Sequence, residues 1–173
     1  RAKATPAIAL SSLMVNAATF GPLCGGPTWA TWRCLVKAIF GERLTAPELV
    51  LFQSLTGRTV APTRPVSEVW VVAGRRGGKS FMAALFAVYL TCFRDYRLAV
   101  GERGVFLLLA ADRKQARILL RYVLAIVRSV PMLEALVERE TVDGVEFSTG
   151  RSIEVTTASF RTSRGPTVIG AVA

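Results

Sequence analysis

The sequence predicts an α/β fold, a mainly parallel sheet flanked by helices, and three observations predict it. First, short continuous apolar runs at 69–73 (VWVVA), 105–110 (VFLLLA) and 168–172 have the make-up of strands covered on both faces. Second, longer segments with helical signals follow the first two runs, at 80–93 and from 112 to just before Pro131. Third, a glycine-rich turn joins the run at 69–73 to the helix that follows it. The order strand, turn, helix, strand, helix is that of a parallel sheet with crossover connections.

Composition sets the outer limits. At 173 residues, 51% of them hydrophobic and 20% charged, the chain amounts to one domain with enough apolar material for a core, which excludes intrinsic disorder. Lys and Arg number 22 against 12 Asp and Glu, a formal charge of +10 that points to polyanionic partners. The absence of histidine excludes Ser-His-Asp and Cys-His catalysis and His-ligated metal within this chain. Cys24, Cys34 and Cys92 are odd in number and contain no CxxC pair, which argues against a zinc ribbon or a disulfide framework and fits a reducing interior. The longest apolar run, residues 81–93, is shorter than the ~20 residues of a bilayer span and is expected to be a buried helix. No secretory signal is evident. Opening on Arg1 and stopping inside an apolar run, the chain reads as a piece of a longer protein.

The elements follow in order. Residues 1–27 are small and apolar, with glycine and proline clustered at 21–22 and 25–27, and are expected to be weakly ordered or to depend on a partner. Thr28 is placed to cap a helix from Trp29 to Phe40, ended by Gly41. Thr45-Ala46-Pro47-Glu48 matches a capping box for a helix running to Thr56 and stopping at Gly57. Pro62 and Pro65 mark a surface linker, so a helical region (1–66) is expected to precede an α/β core (67–173). After the strand at 105–110, Asp112 and Gln115 form a second capping box, and a short helix is expected from Pro131 towards Arg139. The segments 144–147 and 152–157, around Thr149-Gly150, predict a hairpin, and a last strand covers 168–172.

The strongest chemical signal is Ala73-Gly74-Arg75-Arg76-Gly77-Gly78-Lys79-Ser80, between a predicted strand and a predicted helix. Glycines let consecutive backbone N–H groups turn inward onto phosphate oxygens, and the helix start adds its partial positive charge. In such a loop Lys79 reaches the β- and γ-phosphates of a nucleotide and the Ser80 hydroxyl ligates Mg²⁺, which makes the fold a P-loop NTPase with ATP and Mg²⁺ as its cofactors. Ala73 stands where the motif usually has its first glycine. Arg75 and Arg76 either face solvent or contact the γ-phosphate.

The motif also calls for carboxylates to hold Mg²⁺ through water and to orient the attacking water. Asp112 is one candidate, though helix capping is its simpler role. No Asp or Glu follows Glu154, so the carboxylates are expected beyond Ala173, leaving this core cut short near its Walker B strand. Arg161-Thr162-Ser163-Arg164-Gly165 is either a solvated turn or a loop that presents an arginine to a nucleotide. Gln53 is an exposed helical glutamine with an amide able to bond an adenine edge. Trp29, Trp32 and Trp70 are most simply core or interface aromatics.

GRRGGKS, VFLLLAADRKQARILLRYV and IEVTTASFRTSRGPTVIGAVA, with FGERLTAPELVLFQSLTGR upstream, resemble the ATPase domain of tailed-phage terminase large subunits. The resemblance runs from about Trp29 to the end of the chain. It implies an ATP-driven motor that moves double-stranded DNA through a portal into a procapsid in the bacterial host's cytoplasm. The motor works as a homo-oligomeric ring with a small terminase subunit, away from any membrane. It further implies a metal-dependent nuclease domain of RNase H type outside this chain. By resemblance, residues 1–66 become the adenine side and Gln53 the adenine contact. Gly74, Gly77, Gly78, Lys79 and Ser80 hold phosphate and Mg²⁺, Arg75 or Arg76 senses the γ-phosphate, and Arg164 acts as an arginine finger on a neighbouring subunit. Hydrolysis by this chain alone is expected to be poor. Two other readings stay open: another phosphate-loop enzyme, such as a helicase or small-molecule kinase, and a non-catalytic basic module that binds nucleic acid.

Overall fold

The computed structural model describes residues 8–157 and 167–173, which divide into two compact units, one of Ile8–Ala73 and one starting at Gly74.

The first unit is helical. Short helices α1 (Leu10–Leu13) and α2 (Gly21–Cys24) lead through a 3₁₀ turn (Pro27–Trp29) into α3 (Ala30–Ile39), and α4 (Ala46–Thr56) follows. Leu10, Met14, Phe20 and Cys24 are fully buried, so residues 8–27 are folded, against the expectation of weak order. Arg33 helps to hold them: its Nη1 donates to the carbonyls of Cys24, Gly25 and Gly26 at 2.8–3.2 Å, satisfying three acceptors of a glycine turn. Thr28 is not the cap of α3, because the 3₁₀ turn occupies that position and Trp29 makes no side-chain cap. Cys34, Ala38 and Phe52 form a small core between α3 and α4, with Leu44, Leu49, Leu51 and Ala61 packed on it.

The capping box at α4 forms as predicted. Thr45 Oγ1 accepts from the Glu48 N–H, Glu48 Oε2 accepts from the Thr45 N–H, and Gly57 ends the helix in the left-handed region at φ 68°. Lys37 Nζ lies 2.6 Å from Glu48 Oε1. Desolvation raises the Glu48 carboxyl, but hydrogen bonds from Lys37 and Thr45 outweigh it and hold the group below its ordinary value. A carboxyl lowered in this way stabilises the fold near neutral pH, and the contribution is lost as pH falls into the carboxylate range. Thr45→Ala removes one half of the box. It is expected to cost about 1 kcal/mol, read as a melting point lower by a few degrees, with Thr45→Ser restoring most of it.

The second unit is α/β. Helix α5 (Lys79–Cys92) leads to β1 (Gly104–Ala110), then α6 (Arg113–Arg128), α7 (Pro131–Glu134), β2 (Val137–Thr141), β3 (Gly144–Phe147), β4 (Arg151–Thr157) and β5 (Thr167–Val172). The strands form one open sheet in the order β2-β3-β4-β1-β5. β1 is parallel to both β4 and β5, whereas β3 is antiparallel to β2 and β4. The sheet is therefore mixed rather than mainly parallel. β1 is central and almost wholly buried, as its unbroken apolar run implies. Helices α5 and α6 pack on each other, and each touches β1 and β4.

Two sequence-based expectations fail here. The run at 69–73 joins no sheet: among the described residues it has no strand partner, and Trp70 is 87% exposed. Its residue types favour a buried strand, but a strand is completed by neighbours outside itself. The short helix ends at Glu134, and 137–141 is strand β2 instead. That strand is polar and lies at the sheet edge, held by ion pairs of Glu138 with Arg103, Arg139 with Glu146, and Glu140 with Arg128. The hairpin of β3 and β4 forms as predicted, with Gly150 at φ 73° in its turn.

The three cysteines are free thiols. Burial pushes Cys24 up to about 11 and Cys92 up to about 12, against the opposing pull of Arg33 and Arg151. Among the described residues, no helix is long and apolar enough to cross a membrane.

Candidate phosphate-binding loop

Residues 74–78 make a tight loop that feeds directly into α5. Two residues in it take the left-handed backbone conformation, Arg76 at φ 63° and Gly78 at φ 78°. Gly78 is the residue before the helix, a place where glycine carries no Cβ penalty. Arg76 is the only described non-glycine residue with positive φ, and holding it there costs about 1 kcal/mol. Strain of this kind clusters at ligand-binding segments.

The loop is closed on itself. The Gly74 carbonyl accepts from the Gly77 N–H at 3.2 Å and from Lys79 Nζ at 2.8 Å. Lys79 thus reaches back across the loop and sets its ammonium at the mouth. The Met82 N–H donates to the Gly78 carbonyl at 3.0 Å, beginning the helix ladder, and no side chain caps α5. Ser80, on the first turn, is partly buried, while Arg75 and Arg76 are exposed with no partner among the described residues. No Asp or Glu occurs between Glu68 and Asp95, so the loop and its helix have only cations nearby in sequence. An uncapped helix start, a strained glycine loop and a lysine beside them can bind a phosphate-sized anion.

The sheet orients this helix. Arg151, at the start of β4, donates through Nη1 to the Thr91 carbonyl in the last turn of α5 at 2.8 Å and also to the Arg94 carbonyl just past the helix. The last turn of α5 is therefore beside the amino end of β4. Fourteen helical residues extend about 21 Å and seven strand residues about 23 Å. The Lys79 end thus lies towards the carboxyl ends of the parallel strands, where open α/β sheets bind ligands. Phe81 contacts Tyr122 of α6 edge-on at 6.1 Å, bracing the first turn. Sequence reasoning missed Arg151, because a half-buried arginine that holds backbone carbonyls has no local motif.

The other predicted site residues are placed as follows. Asp112, just past β1, caps α6 by accepting from the Gln115 N–H at 2.8 Å, the simpler of its two roles. Gln53 lies in the helical unit, where its Nε2 donates to the Thr59 carbonyl at 2.9 Å and ties down the chain after Gly57. Thr59 also lines an open cavity of about 480 Å³ with Leu44, Leu49 and Val60. Arg164, with its neighbours 161–165, lies outside the described residues. No cluster of three or more Cys, Asp or Glu side chains suited to a metal occurs among the described residues. Comparison with protein-family models, curated proteins and solved structures returned no match.

Proposed function

We propose that this chain is a nucleotide-binding motor domain of the tailed-phage terminase large-subunit type, which binds ATP at residues 74–80 and drives double-stranded DNA. The carrying observation is the loop itself: Lys79 bonded across it to Gly74, glycine in the left-handed region before α5, and no helix cap. Lys79 would exchange its carbonyl partner for β- and γ-phosphate oxygens, and the first-turn N–H groups would take the phosphates lying beside them. Arg75 and Arg76 stand free to meet the γ-phosphate.

The residues present fit a Mg²⁺-bound triphosphate. Ser80 carries the only hydroxyl on the first turn of α5. A single protein oxygen is adequate there, because Mg²⁺ keeps several waters and takes its other ligands from phosphate. When bound, the ion neutralises phosphate charge that builds up in transfer. By resemblance alone, Gln53 would be the adenine contact; in the helical unit its Nε2 donates to the Thr59 carbonyl. The family likeness adds the portal and procapsid, the small subunit, the ring assembly and the host cytoplasm to this proposal.

Calorimetric titration of the full chain with ATP and Mg²⁺ tests the reading. Saturable binding that ATP or ADP competes and AMP does not is the expected result, since the loop reads β- and γ-phosphates. Absence of binding, or equal competition by AMP, would overturn it and favour a basic module with an unused loop.

A further inference from the structure

We propose that the exposed face of α6 is a docking surface for the phosphate backbone of double-stranded DNA. It goes beyond the nucleotide loop, because it stands on α6 and its charges alone. Leu119, Val123, Ile126 and Val127 are buried on one side of the helix. At 3.6 residues per turn, Arg113, Lys114, Arg117 and Arg121 share an arc of about 100° well away from that side. All four are exposed, and none has a hydrogen-bond or ion-pair partner among the described residues. Residues 113–133 include no Asp or Glu.

The contrast with other arginines of this unit is informative. Arg103, Arg128 and Arg139 are each matched with glutamates of β2 or β3. Four unmatched cations on two turns repel one another, at a cost of a few tenths of a kcal/mol for each i,i+4 pair. A polyanion relieves that repulsion.

The spacing and the neighbours select the occupant. Arg113 to Arg121 spans about 12 Å of helix, the length of three to four phosphates of one DNA strand at about 3.4 Å each. The arc carries no aromatic side chain on which to stack an unpaired base, which disfavours single strands. The apolar side of α6 is committed to the core and cannot insert into a lipid surface. Beside the helix runs a groove of about 630 Å³ that Arg113 and Arg117 line together with Asp143, Glu146 and Glu154, while Lys114 and Arg121 are not among its lining residues.

The test compares the full chain with a variant carrying Arg113→Gln, Lys114→Gln, Arg117→Gln and Arg121→Gln, each change preserving helix propensity. Binding to a duplex of random sequence is measured across a salt series. The variant is expected to bind about tenfold or more weakly at 0.1 M salt, with a log–log salt slope shallower by about three to four. A second variant, with the three arginines changed to lysine, should keep the slope, and Arg139→Gln should bind like the parent. Equal affinity and slope in parent and glutamine variant would overturn the proposal. So would equal losses in the lysine and glutamine variants, absence of duplex binding by the parent, or binding to phosphatidylserine vesicles in preference to duplex. Nucleotide titration of the same proteins keeps the two readings apart. Stripe-dependent DNA binding without ATP binding removes the motor reading and leaves this surface; ATP binding without DNA binding does the reverse.

Discussion

Lys79→Ala is expected to weaken ATP binding about a hundredfold while leaving the melting temperature of the chain nearly unchanged. In the structure the Lys79 ammonium donates an exposed hydrogen bond to the Gly74 carbonyl, which water can replace. In the proposed ATP complex the same ammonium would face the most highly charged part of the ligand. Charge-assisted bonds of this kind, and the cost of leaving phosphate charge uncompensated, are each worth about 1.5–3 kcal/mol, and about 3 kcal/mol corresponds to about a hundredfold in Kd. Lys79→Arg should recover little, since a planar guanidinium does not replace a compact ammonium inside a tight loop. Lys79→Ala should shift the salt slope of DNA binding by no more than about one unit, one cation being lost among many. If Lys79→Ala binds ATP like the parent, the loop is not a nucleotide site.

The largest loss of stability is expected at Phe106. Its ring is buried in the central strand β1, level with Ile153 of β4 and Gly170 of β5. The register of β1 against β5 shifts between Val105 and Phe106, and Gly170 sits where the ring needs room. A Cβ built on Gly170 would lie 2.5 Å from Phe106 Cε2, which no real contact tolerates. Phe106→Ala should therefore cost about 3–5 kcal/mol through lost burial and the cavity left behind. Gly170→Ala should cost about 1–3 kcal/mol for the opposite reason, overpacking against the same ring. The two sites are coupled. Combining Phe106→Leu with Gly170→Ala should destabilise by less than the sum of the single changes, by about 1 kcal/mol or more. Urea unfolding of the four proteins measures this, and strict additivity would show that the ring does not fill the space over Gly170.

Much of this architecture was legible in the sequence wherever a signal is local. The Thr45–Glu48 box, the Gly57 stop, the Asp112 cap and the turn at Gly150 all use side-chain or backbone preferences that act within four residues. The strand at 105–110 was legible because burial on both faces leaves an unbroken apolar run. The misread segments are those settled by distant partners. Residues 69–73 have strand composition but no strand partner among the described residues, while Val137–Thr141 has a strand partner and no strand composition. Its glutamates and arginine are satisfied across the sheet and from α6, which no window on the sequence displays. At the loop, glycine and lysine spacing identified the residues, but not that Arg76 takes the strained conformation or that Arg151 pins the far end of the helix.

The division at Gly74 also sorts the chromophores. Trp29, Trp32 and Trp70 all belong to the unit Ile8–Ala73, and Tyr89, Tyr96 and Tyr122 all belong to the unit that follows. Emission excited selectively at tryptophan therefore follows the melting of the helical unit, while tyrosine absorbance follows the sheet and its loop. Tyr122 stands edge-on to Phe81, two residues from Lys79, which makes it a reporter for the start of the loop's helix. The chain thus carries two separate optical channels for its two halves, with no label added.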